Sequence, residues 1–219
     1  MMAVVMQLVF FLFILVSITA SQNVFKLINS SVQLDVQTKG YQFLDFTWTF
    51  NKSNNIVKHY KNSPSIVFPD YEERVELNEK THSLTLKNLQ KNDNGLYAAT
   101  AAFTQNLKVA EYQLYVLDPV EKPVLNVSPQ QSNDACIVTL TCEAQKLSIT
   151  SHCYSDNCDM KEEKMARDAF LSLSLYVSNS FIICNHSNPV SWKYTAVEMQ
   201  HVKQLCLPEG VSMHTFCMG

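Results

Sequence analysis

The chain has 219 residues, 47% of them apolar, with 17 basic and 20 acidic side chains and a net charge of -3. That length suits two small domains or one large one, and the near-neutral balance, with no basic stripe, excludes an electrostatic footprint for nucleic acid. Four glycines leave no glycine-rich phosphate loop.

Residues 1–20 are set apart from the fold. Val4 to Ile18 is a nearly unbroken apolar run, and small or polar residues close it at Ser17, Thr19, Ala20 and Ser21. This pattern predicts a secretory signal peptide cleaved after Ala20 or Ser21. Seven cysteines lie at 136, 142, 153, 158, 184, 206 and 217, all in the second half. With a secretory start, they predict oxidised pairs confined to that half. The sequence holds Asn-x-Ser/Thr acceptors at Asn29, Asn51, Asn126 and Asn185, which predict a glycoprotein.

Residues 21–118 have strand texture. Val32, Leu34 and Val36 alternate with polar residues, and Phe46-Thr47-Trp48-Thr49-Phe50 places its aromatics on one face. Short strands are expected at 56–60, 65–68, 74–77 and 83–86. A final pair is expected at 96–104 and 109–117. Asp93-Asn94-Gly95-Leu96-Tyr97 is a tyrosine-corner pattern, so the domain reads as a variable-type immunoglobulin sandwich. The positions that would carry its inter-sheet disulfide are Val36 and Ala99, and neither can cross-link. The sheets must then be held by packing around Trp48, with Arg74 and Asp93 as a candidate ion pair beside Tyr97.

Two prolines in Leu117-Asp118-Pro119-Val120-Glu121-Lys122-Pro123 mark a boundary. Residues 119–208 read as a second, smaller, constant-like sandwich, with Tyr154 standing where a core tryptophan is expected. On that sandwich model Cys142 pairs with Cys184, Cys136 with Cys206, and Cys153 with Cys158. The spacing alone leaves other connectivities open. Cys217 remains single in a tail at 209–219, which is too short and mixed for a membrane span. The fold class expected is thus all-β, two tandem immunoglobulin-like sandwiches after a signal peptide.

Catalytic and metal chemistry find little support. His152, Cys153, Cys158 and His186 suggest a zinc set, but the compartment favours disulfides. No Cys or Ser sits in a turn motif with a placed base. We therefore expect no enzyme, no metal and no cofactor. What remains is surface. Period two sends Thr47, Thr49, Ala98, Thr100, Ala102, Glu111 and Gln113 outward on the front sheet of the first domain, where Lys58 and Tyr60 join them. Small side chains there let another protein approach, and peripheral charges set register.

At this point the chain resembles the SLAM family of leukocyte adhesion receptors. The resemblance covers residues 24–208. It rests on the cysteine-free variable-type domain, the linker above, and Cys184-Asn185-His186-Ser187-Asn188-Pro189-Val190-Ser191-Trp192, which is similar to the family's Cys-x-x-x-Asn-Pro-Val-Ser segment. Cys206 stands where the family's closing cysteine would be. The resemblance implies cell-surface recognition in immune-cell contact, through the outer face of the first domain's front sheet. The partner would be a second copy or a related ectodomain, not a nucleic acid or a small-molecule substrate. Family members normally carry a transmembrane helix with tyrosine signalling motifs or a lipid anchor. Neither is seen in this sequence, so signalling is not assigned, and an alternative is a secreted decoy or modulator. A module for glycans or pathogen surfaces is a further alternative.

Overall fold

The computed structural model describes residues 21–36, 43–102, 105–131, 136–154, 158, 160–166 and 170–206. The expected signal peptide, the tail and Cys217 lie outside the described residues. The described residues form two compact units that divide between Asp118 and Pro119.

The first unit holds β1 (Gln22–Leu27), β2 (Val32–Leu34), β3 (Asp45–Phe50), β4 (Asn54–Tyr60), β5 (Ile66–Val67), β6 (Val75–Leu77), β7 (Leu84–Leu86), β8 (Gly95–Ala102) and β9 (Asn106–Leu117). They form two sheets, β1-β9-β8-β3-β4-β5 and β2-β7-β6. Alternation decides which side chains meet between them. Phe46, Trp48, Leu34, Leu84, Leu86, Ala99 and Leu114 are wholly buried, while their neighbours in sequence turn outward. Strand β1 carries no clean alternation and is not singled out by the sequence. It pairs parallel to β9, Gln22 opposite Tyr112 through Leu27 opposite Leu117.

Trp48 does not hold the sheets by itself. Its indole Nε1 donates to the carbonyl of His82, before β7, at 2.9 Å. Phe46 packs edge-on at 6.4 Å and Tyr112 stacks at 6.3 Å. Gly95 opens β8 where no side chain fits. A Cβ there would lie against the Phe50 ring and 2.6 Å from Asn51 Oδ1, an oxygen that already accepts from the amide of Leu96 at 3.0 Å.

The second unit holds β10 (Val124–Gln131), β11 (Cys136–Ala144), β12 (Leu147–Tyr154), β13 (Lys161–Ala166), β14 (Leu171–Ser178), β15 (Phe181–Asn188), β16 (Ser191–Glu198) and one short helix, α1 (Met199–Gln204). Its sheets are β10-β11-β12 and β13-β14-β15-β16, each in chain order. Leu140, Cys142, Leu173, Leu175, Ile182 and Cys184 form the wholly buried centre. The disulfides Cys142–Cys184, Cys136–Cys206 and Cys153–Cys158 are all present. The first joins β11 to β15 across the sheets, and α1 returns the chain so that Cys206 reaches Cys136.

Tyr154 does not occupy the place of a core tryptophan. It is 57% exposed, at the end of β12 opposite Ile137. Gln145 and Lys146 turn the chain back on itself, so β12 pairs with β11 and puts Ile149 opposite Cys142. Twelve residues beyond Cys142, the hairpin has already carried the chain to its far end.

The Asn-Pro-Val-Ser segment has a local reason. Asn188 Oδ1 accepts from the amides of Val190 and Ser191 at 3.0 and 2.8 Å, closing the turn between β15 and β16. The Ser191 hydroxyl donates to the same oxygen and accepts from the Val120 amide at 2.9 Å. The turn therefore also fixes the chain as it enters this unit.

Candidate binding face

Register assembles the outer face of the six-stranded sheet in rows. Tyr60, Asp45 and Ala102 lie side by side, as do Lys58, Thr47 and Thr100, and Thr49, Ala98 and Glu111. Gln113 stands opposite Leu96 on the next row. All nine residues singled out from sequence thus share one face. Small side chains occupy its middle, so the surface is shallow. Tyr60 is 40% exposed and Ile66, opposite Lys58, is 53% exposed, giving the β4–β5 edge an apolar rim.

The sequence reading missed Lys108 and Asp45. Strict alternation from Glu111 makes Lys108 an inward residue. The pairing shifts, however: Ala99 faces Ala110 whereas Thr100 faces Lys108. The intervening Val109 is a β-bulge, which reverses the parity of what precedes it. Lys108 therefore reaches the outer face and pairs with Glu111 at 2.7 Å. Asp45 sits between Tyr60 and Ala102. The face carries Lys58 and Lys108 against Asp45 and Glu111, two charges of each sign.

The corner below β8 fixes this face from behind. Arg74 binds Asp93 through both fork nitrogens, at 2.8 and 2.9 Å, and the Tyr97 hydroxyl donates to the Asp93 carbonyl at 3.0 Å. The Asp93 carboxylate also accepts from the Gln90 amide at 2.7 Å. Hydrogen bonding to Asp93 pushes the Arg74 guanidinium above its ordinary range, and burial pushes the Tyr97 phenol well up. Both groups therefore stay protonated near neutral pH.

Behind β4 the rings of Phe43, Phe46 and His59 surround His82 at 4.5, 4.9 and 5.6 Å. Burial, then the neighbouring His59, hold the His82 imidazole below the ordinary histidine range, and Glu79 acts against them. The unfolded chain therefore takes up this proton at a higher pH than the folded domain. The stability that follows is present above about pH 6.5 and is lost as the pH falls through the lower folded value. Denaturant midpoints of the first domain, followed by Trp48 emission, should fall on acidification below about pH 6. His82→Asn, which suits the left-handed backbone here (φ 59°), should flatten that dependence.

The acceptor asparagines differ in setting. Asn29, Asn51 and Asn126 are exposed, the first two at turns with positive φ. Asn185 is half-buried on β15. The suggested zinc set does not come together. Cys153 and Cys158 are spent on each other, His152 meets the Thr139 hydroxyl at 3.2 Å, and buried His186 turns Nδ1 to the Glu121 carbonyl at 2.9 Å. Among the described residues no helix is long and apolar enough to cross a membrane.

Comparison with known proteins gives the class first. Residues 19–117 match the immunoglobulin V-set domain. The fold is similar to that of the CD2-binding domain of CD58, with a TM-score of 0.54 and 22% identity over 82% of this chain and 97% of that one. Among curated proteins the chain is 29% identical to human SLAM family member 7 over 63% of its own length and 43% of that protein's. It is 25% identical to human CD48 antigen over 75% of its own length and 69% of that protein's. The chain thus spans less than half of the first relative and about two thirds of the second. It carries a V-set domain and resembles receptors of the SLAM family.

Proposed function

We propose that the chain is an extracellular recognition module that binds another protein through the outer face of β1-β9-β8-β3-β4-β5. Its partner is a second copy or a related immunoglobulin-superfamily ectodomain, met in immune-cell contact, and the chain performs no catalysis. The observation that carries this is the face itself. Thr47, Thr49, Ala98, Thr100 and Ala102 make a shallow centre, bordered by Lys58, Lys108, Asp45 and Glu111. A flat centre permits close approach, and charges of both signs at its border suit a surface that carries the same mixture. The fold also serves CD58 as a CD2-binding domain. Three disulfides fit an oxidising, extracellular setting.

The test is a binding assay of the full chain against itself and against SLAM-family ectodomains, with Thr100→Arg and Gln113→Arg beside the wild type. One arginine stands up from the flat centre and the other from the row beside it, and each should weaken binding at least about tenfold. Folding stability should move by no more than about 0.5 kcal/mol, because both positions face solvent. Binding unchanged in both variants would place the interface elsewhere.

A further inference from the structure

The outer face of β13-β14-β15-β16 carries a row of rings that the first unit's binding face does not use. Buried Cys184 and His186 alternate with Asn185 and Ser187, so these two point outward. Across the strands, Tyr194 stands opposite Asn185 and Trp192 opposite Ser187. Trp192 is 69% exposed and Tyr194 55%. On the other side of β15, Ser174 faces Asn185 and Ser172 faces Ser187. The serines leave a shallow trough beside the two rings, and Asn185 sits in it.

Two exposed aromatic side chains on neighbouring rows of one sheet form an apolar strip beside the serines. The residues themselves name an occupant for it, because Asn185-His186-Ser187 is an acceptor for N-linked sugar. We infer that Asn185 carries an N-linked glycan whose first sugars lie across Tyr194 and Trp192. Directly opposed residues on adjacent strands have Cβ atoms about 5 Å apart and diagonal neighbours about 7–8 Å apart. A saccharide leaving Asn185 therefore meets Tyr194 first and Trp192 next. The apolar C–H face of a pyranose lies flat on such rings, and its hydroxyls remain in water. A protein partner laid flat on this sheet would collide with a sugar rising from its centre. In the transfer, Asn185 Nδ2 bonds to C1 of an oligosaccharide held on a polyprenyl diphosphate. The C1–O bond breaks, the lipid diphosphate leaves, the amide gives up one proton, and no electrons are exchanged.

The inference rests on the extracellular reading above, and one experiment separates the two. The full chain is secreted from a eukaryotic host and treated with a glycan-cleaving amidase in isotopically labelled water. Peptide mapping then shows which asparagines became labelled aspartate. Acrylamide quenching of tryptophan emission is recorded before and after. The sequence has two tryptophans and Trp48 is wholly buried, so quenching reports Trp192. The expected result is label at Asn185, with quenching that rises on deglycosylation and in both N185Q and S187A. The amidase arm leaves every side chain except the acceptors unchanged, so it does not depend on a variant folding. Label at Asn29, Asn51 or Asn126 but not at Asn185 overturns the inference alone. A chain that stays inside the cell and is labelled at none of them overturns the extracellular reading with it. Label at Asn185 with unchanged quenching removes the stacking.

Discussion

Trp48→Ala is expected to lower the stability of the first domain by about 3–5 kcal/mol, the range for emptying a buried tryptophan site. The indole is wholly buried and its N–H holds the His82 carbonyl at 2.9 Å, so the variant leaves a cavity and an orphaned acceptor together. Nothing covalent offsets this, because every cysteine lies at or beyond 136. A small domain holds only about 5–15 kcal/mol in total, so the alanine variant loses a large share of it and should unfold at clearly lower urea than the wild type. Trp48→Phe keeps much of the ring and loses the hydrogen bond, and should fall between the two. Urea denaturation followed by circular dichroism measures both. An alanine variant within about 1 kcal/mol of wild type would show that Phe46 and Tyr97 carry the core without it.

The first domain was legible because its strands alternate. Phe46, Trp48 and Ala99 point inward in the sequence and in the fold, and the outward set follows from them by period two. The corner was legible for another reason: Asp93, Gly95 and Tyr97 stand at spacings that a single local geometry requires. Lys108 was not legible. Its position depends on an extra residue at Val109, and a bulge is set by pairing with β8, which no window along β9 contains. In the second unit Leu173 and Leu175 announced their strand, whereas β13 did not. Lys161-Glu162-Glu163-Lys164 has no apolar period, and its strand exists because β14 offers an edge. Tyr154 was misplaced because an expected crossing strand was laid over a segment that forms a hairpin. Leu147, Ile149 and Cys153 carried the alternation that marks it.

This contrast bears on the binding face. Its nine residues were found through inward partners, not through any signal of their own. Thr47 and Thr100 are ordinary side chains for an exposed sheet. Only their shared row, and the charges brought beside them by the bulge, distinguish the surface. A face of this kind is a property of register, which is why single residues in the sequence pointed to it so weakly.

Reduction is expected to separate the two units. Every cysteine lies at or beyond 136, so reductant has no target in the first domain. In the second, Cys142–Cys184 and Cys136–Cys206 close segments of 42 and 70 residues. On the chain-entropy account each such closure destabilises the unfolded state by about 4 kcal/mol, and Cys153–Cys158, closing a far shorter loop, contributes less. The two long bridges together are comparable to the whole stability of a domain of this size. Cys142 and Cys184 are wholly buried, so reductant reaches them only through opening of the sandwich, and mild denaturant is needed to admit it. Scanning calorimetry of the oxidised chain should then resolve a transition for each unit. After reduction the transition of the second unit should disappear or fall steeply, and that of the first should stay in place. A first-unit transition that moves with it would mean the two do not unfold independently. A second-unit transition that survives would mean that Leu140, Leu173, Leu175 and Ile182 suffice to hold the sheets, and that the disulfides only reinforce a core already stable by packing.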